Sequence, residues 1–227
     1  EFLHFLQIIA AIDLDGDEGS LLQLSGSVTL GVFDLVTLSG DFAFKKATGN
    51  FTVADGTTST QLSSTEYLSV GADISTASVT VGAVGITLNS IKLGMVLVGD
   101  DTNSVNYTAI KASVGSANLT GVPGLTLSVN TLSLEVNKSS DAANPNKVLD
   151  FADTSSHAGD DGATALAVAT GPSSSIALDL DGDEGSLLRV FGSVGLDILG
   201  FVSLSGNFAF KKATASLTLS DASTVTA

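Results

Sequence analysis

Asp13-Leu14-Asp15-Gly16-Asp17-Glu18-Gly19-Ser20-Leu21-Leu22 occurs twice in this chain: the same ten residues return as Asp179–Leu188. The step from 13 to 179 is an offset of 166 residues. Without a gap it also carries Gly26-Ser27-Val28 onto Gly192-Ser193-Val194 and Ser39-Gly40 onto Ser205-Gly206. Phe42-Ala43-Phe44-Lys45-Lys46-Ala47-Thr48 likewise returns as Phe208 to Thr214. About 25 of the 37 positions from 12 to 48 match across the offset, so the 227 residues hold a tandem repeat seen for about 1.4 periods. The organisation expected is the end of a preceding unit at 1–11, one full repeat at 12–177 and the start of the next at 178–227. The question becomes what an array of such units does.

The apolar content is 44%, but only 6% is aromatic, so Val, Leu, Ile and Ala supply the hydrophobic surface. That composition, with 24 Gly and only 3 Pro, suits short β-segments joined by tight turns. No cysteine is present, which removes disulfide frameworks and thiolate metal sites. A net charge of −15 argues against nucleic acid, whose phosphates need Lys and Arg, and suits a self-repelling extracellular surface or one that takes up cations. The apolar stretch 1–12 is too short for a membrane helix and lacks a basic start, so it is read neither as a span nor as a signal peptide.

Apolar residues alternate after the acidic stretch: Leu22, Leu24, Val28, Leu30, then Val36, Leu38, Phe42, Phe44. The same period of two runs through Leu68, Val70, Ala72, Ile74, changes parity to Ala77, Val79, Val81, then to Val84, Ile86, Leu88 and Ile91, Leu93, Met95, Leu97. It returns at Leu125, Leu127, Val129 and, with shifted parity, Leu132, Leu134, Val136. Period two predicts half-buried strands, and each parity change marks a turn or bulge. The fold class expected is all-β and elongated. Two architectures satisfy the pattern: a β-solenoid, favoured because parity changes suit corners, and tandem antiparallel sandwich or meander units, in which breaks such as Gly121-Val122-Pro123-Gly124 are hairpin turns. Residues 137–175 read as an irregular insertion on the surface, dense in Gly, Pro, Asn and Ser, with short strands open at Val148–Phe151 and Leu166–Val168.

Asp13, Asp15 and Asp17, with their copies Asp179, Asp181 and Asp183, place three carboxylates on alternate positions, a spacing with which a tight loop wraps a hard cation. The stretch resembles the first half of an EF-hand or dockerin-type loop, and that resemblance implies Ca²⁺ held by these six residues. It departs from the pattern where glycine is replaced by Glu18 and Glu184, and where the closing acid is replaced by Leu24 and Val190. The alternative is an acidic turn between strands, its charges solvated. Lys45-Lys46 and Lys211-Lys212 read as basic pairs that end an edge strand, and Phe42, Phe44, Phe208 and Phe210 as core.

Catalytic constellations are missing: His4 and His157 are the only histidines, and no nucleophile elbow or phosphate-binding glycine loop is present. The function expected is structural, a segment of a large extracellular or cell-surface fibre, stalk or adhesin, with neighbouring repeats, self-association or a surface glycan as partners and no enzyme activity. In repeat length, composition and acidic loops the chain resembles the giant repeat adhesins of bacteria. Alternatives are a glycan- or protein-binding module using loops 54–65, 99–104 and 137–175, and a polysaccharide-acting β-helix enzyme, whose sign would be acids converging in one groove. A membrane β-barrel is set aside because there is no Trp and there are two Tyr for its aromatic girdles.

Overall fold

A computed structural model describes residues 21–32, 36–152, 163–213, 216–218 and 224–226. Eight long strands follow one another as β1 (Leu22–Val32), β2 (Val36–Ala54), β3 (Ser59–Val81), β4 (Val84–Asp100), β5 (Val105–Thr120), β6 (Leu125–Ser139), β10 (Leu187–Ile198) and β11 (Val202–Ala213). Between β6 and β10 lie three short strands, β7 (Val148–Asp150), β8 (Leu166–Ala169) and β9 (Ser175–Leu178). A turn of 3-10 helix, Gly182–Glu184, follows them, and β12 (Ser216–Thr218) and β13 (Thr224–Thr226) form a hairpin after β11. Each long strand pairs with the next in chain order, β6 passing directly to β10, so the long strands make one antiparallel sheet.

The described strands therefore follow the antiparallel alternative and not the coils of a solenoid. Breaks at 82–83 and 121–124 are hairpin turns, with Gly82, Gly121 and Gly124 at positive φ. Most parity changes inside a block have another cause. Ser75, Ser90, Gly115 and Thr131 stand outside the pairing at one level of the sheet, on β3, β4, β5 and β6. Each is one extra residue, and the neighbours β2 and β10 absorb the shift between Ser39 and Gly40 and between Gly192 and Ser193. Ser90 and Thr131 take φ of 54° and 61°, and the Ser75 hydroxyl donates to the Ser39 carbonyl at 2.9 Å. A bulge moves the following residues by one without turning the strand over, so Ile74 and Ala77 share a face despite their parity.

Register and alternation sort the sheet into two faces. One carries Leu24, Phe42, Phe44, Leu68, Val70, Ile91, Leu93, Leu134, Val190, Phe208 and, beyond the bulges, Leu38, Val79, Ile86, Leu127 and Leu204. None of these is buried. The other face is polar beyond the bulges, with Thr76, Ser78, Thr87, Asn89, Ser116, Asn118, Ser128, Asn130 and Ser205. On the near side of the bulges it carries the core.

That core is roofed by residues from the segment read as a surface insertion and from the stretch that follows it. Leu149, Val168, Leu178 and Leu180 pack on Phe51, Val53, Val96, Val98, Tyr107 and Ala109, with Leu149 and Leu178 at 0% exposure. Of residues 137–175, read as an irregular surface insertion, those to Ser139 belong to β6, and Leu149 and Val168 are buried in the roof. Residues 153–162 lie outside the described chain. The roof fits because Gly71 and Gly94 face each other in the sheet beneath it. A Cβ on Gly71 would stand 2.0 Å from the Ala169 carbonyl, and one on Gly94 2.4 Å from Ile176. Glycine inside a strand marks such a close approach. The far end of the β2–β3 hairpin bends at a second bulge, between Gly49 and Phe51, with Ser64 at φ 54° donating its N–H to the Asn50 side chain. There β2 also pairs with β7, and the fully buried Asn137 ties β6 to β7 by donating to the Leu149 carbonyl at 2.6 Å.

Candidate functional site

The described copy of the acidic stretch runs as a strap over the covered face. Leu178, Leu180 and Gly182 are buried, while Asp179 is exposed and Asp181 and Asp183 are half-buried, Asp183 within the 3-10 turn. Asp179 accepts from the Lys111 ammonium at 2.6 Å. Asp181 caps the 3-10 turn by accepting from the Asp183 N–H at 2.9 Å, and the Gly182 N–H donates to Asp150 at 2.9 Å. Glu184 reaches Lys211 at 2.9 Å and Arg189 at 3.4 Å. Arg189 also pairs with buried Glu135, opposite it on β6. The register of β5, β6, β10 and β11 makes Lys111, Glu135, Arg189 and Lys211 a single row across the sheet.

The six proposed metal ligands thus divide. Asp13, Asp15 and Asp17 lie outside the described residues. Asp179, Asp181 and Asp183 are placed along the strap, and no group of three or more His, Cys, Asp or Glu side chains suited to a metal occurs among the described residues. The lysine pairs divide as well. Lys45-Lys46 lies inside β2, between β1 and β3, with Lys46 paired to Glu66 at 3.1 Å. Lys211-Lys212 does lie near the end of β11, at the sheet's edge. Phe42, Phe44, Phe208 and Phe210 sit on the face opposite the roof, outside the buried core cluster of the described residues.

Several acids serve turns at one end of the sheet. Asp55 accepts from the N–H groups of Thr57 and Thr58, Asp100 from those of Thr102 and Asn103, and Asp141 from those of Ala143 and Asn144. Burial pushes the Asp55 carboxyl up, but its bonds from Thr57 and Thr58 outweigh that and hold it below the ordinary value. The Asn144 amide and the turn N–H groups hold Asp141 low as well. Burial, then the charges of Asp100 and Asp141, raises the Tyr107 hydroxyl.

A cavity of about 210 Å³ opens between the β2–β3 tip and β7, lined in part by Asn50, Gln61, Asp150 and Phe151. Among the described lining residues Asp150 is the one carboxylate. Among the described residues no helix is long and apolar enough to cross a membrane, a statement that leaves strand-built membrane proteins aside.

The feature that sequence reasoning did not reach is the pair of sheet edges. β10 repeats β1, and it pairs with β11 on one side and with β6, the last long strand of the first repeat, on the other. β1 and β11 each have one long-strand neighbour among the described residues. The signal was available in the repeat itself, because two copies of one strand must offer the same two edges. No protein-family model, curated protein or solved structure matches the chain.

Proposed function

We propose that this chain is a structural segment of a large extracellular or cell-surface fibre or stalk, in which tandem repeats add strands to one continuous sheet. The observation that carries the reading is the β6–β10 ladder, which pairs Asn137 with Leu187 through to Leu125 with Ile198 across the junction between repeats. A flexible linker between independent domains would leave no such ladder. Each period contributes six long strands, β1 to β6, and neighbouring strands lie about 4.8 Å apart, so a period lengthens the ribbon by roughly 29 Å. Stacked repeats of this kind gain stability from each neighbour, and length scales with copy number. The charge of −15 keeps such a surface hydrated and self-repelling.

The test is small-angle scattering on proteins of one, two and three periods. Equal increments near 29 Å per period support the ribbon. Increments that spread as for beads on a flexible string would overturn it.

A second reading, a protein-binding or self-associating module, is favoured by the apolar face that no described residue roofs, since contiguous apolar surface marks interaction sites. Sedimentation over a range of concentrations tests it: a mass that stays at 22.8 kDa throughout counts against self-association. The calcium reading of the acidic stretch is tested by melting in excess calcium and in excess chelator, beside a variant with Asp13, Asp15, Asp17, Asp179, Asp181 and Asp183 all changed to Asn. A rise in Tm with calcium, lost in the variant, supports a metal clip; coincident curves oppose it.

A further inference from the structure

We propose that the outer edge of β11 is an acceptor site for a strand of β3 sequence, Thr65–Val81, in antiparallel register. The inference rests on the array reading above and adds to it the identity and alignment of the strand.

The chain already shows such a strand in place on the first copy of this edge. β2 and β11 share Leu38-Ser39-Gly40 with Leu204-Ser205-Gly206, and Phe42-Ala43-Phe44-Lys45-Lys46-Ala47 with Phe208 to Ala213. On β2, the partner β3 sets Leu38 opposite Ala77, Gly40 opposite Ile74, Phe42 opposite Ala72 and Phe44 opposite Val70. Carried across the offset, the same strand would set Leu204, Gly206, Phe208 and Phe210 opposite those four residues.

Glycine at the bulge identifies the occupant. β3 carries its extra residue, Ser75, beside Gly40, and its backbone crowds in there. A Cβ on Gly40 would stand 2.4 Å from the Asp73 carbonyl oxygen and 2.5 Å from the Ile74 Cα, so no side chain fits. Gly206 occupies the same place on β11 with nothing within 4 Å, and its φ is not one that requires glycine. The place that the β3 backbone fills beside Gly40 is open at Gly206.

The backbone after β11 points the same way. Thr218, Thr224 and Thr226 stand at the positions of Thr52, Thr58 and Thr60. Ser216–Thr218 pairs antiparallel with Thr224–Thr226, so the chain doubles back about where β2 turns into β3. Phe210 is 55% exposed and Leu204 64%, and a β3-type strand brings Val70 and Ala77 alongside them on the same face. Main-chain bonds supply the affinity of an added strand, and its alternate side chains fix the register.

The experiment adds a synthetic peptide, Thr65–Val81, to the full 227-residue chain and follows amide hydrogen exchange residue by residue. Exchange should slow along Val202–Ala213 and stay unchanged along Leu22–Val32, whose edge is of the type that meets β6. A scrambled peptide should protect neither. Gly206→Val should leave the melting curve of the free chain in place and weaken peptide capture by about 10- to 100-fold, the effect of overpacking a tight contact. Gly206→Ala, which adds only the Cβ, serves in the same assay should valine disturb folding. Absence of protection on β11, or capture by both Gly206 variants as tight as by the parent, would overturn the proposal. If capture fails while scattering still shows equal increments per period, the edge assignment falls and the array reading stands.

Discussion

β2 and β11 carry nearly the same residues and occupy different surroundings. β2 lies between β1 and β3, and its far end reaches the core through Phe51 and Val53. β11 has β10 on one side and, among the described residues, no long strand on the other. Phe42 and Phe44 are accordingly half-buried, whereas Phe208 and Phe210 are 40% and 55% exposed. The reverse holds for the first strand of each copy: Leu22 on β1 is 60% exposed, and Leu188 on β10, flanked on both sides, is half-buried. Burial here belongs to the neighbours and not to the residue. A repeat unit finishes its packing only when the units beside it are present.

Substitutions at equivalent positions can break or sharpen this contrast. The largest effect belongs to the roof, which distinguishes the surroundings of the first copy. Leu178→Ala removes a fully buried side chain and should cost about 2–5 kcal/mol in denaturant unfolding. Amide exchange should quicken in β4 and β5, which Leu178 covers, and change little in β11. Next, Gly40→Val forces a side chain into the β3 backbone and should cost at least about 1–3 kcal/mol. Its twin Gly206→Val meets open space and should stay within about 0.5 kcal/mol. Equal costs at the two glycines would show that the second copy has a neighbour like the first.

Phe44→Ala should lose about 1–2 kcal/mol for a half-buried ring. Phe210→Ala should lose less than about half of that, the usual range for a surface position.

The smallest effects come from the turns. Asp55 and Asp141 titrate below the ordinary value of 3.8 when folded. Their contribution is complete above that value and is lost as the pH falls through the lower folded pKa, so Tm should drop on acidification below about pH 4. Asp55→Asn together with Asp141→Asn should flatten that drop. Tyr107 titrates above its ordinary 10.0 when folded, so its contribution is present below pH 10.0 and fades as the pH rises beyond it. Tyr107→Phe should blunt the alkaline loss.

The strands themselves were legible, because Leu, Val and Ile alternate with Ser and Thr over long runs. The architecture was not, since a solenoid corner and a β-bulge both change parity by one residue. Ser75, Ser90 and Thr131 carry no local mark that separates the two. The roof was hidden by its own loops: Pro145, Gly171 and Pro172 signal a surface, while Leu149, Val168 and Leu178 are too few to show a period. Gly71 and Gly94 held a clue, as glycines inside otherwise regular strands, but only the register shows that they face each other. The alternation in Asp179, Asp181 and Asp183 suits a cation-wrapping loop and a strap equally well, and the burial of Leu178 and Leu180 between them had no mark in the sequence.

The continuity of the sheet across the repeat junction is tested most directly by amide hydrogen exchange in the two copies of the first strand. β10 is paired on both sides, so consecutive amides from Leu187 to Ile198 should all exchange slowly. β1 is paired only to β2 among the described residues, so every second amide from Leu22 to Val32 should exchange fast. An alternating pattern in β10 matching that of β1 would contradict the β6–β10 ladder, and with it the reading of the array as one sheet.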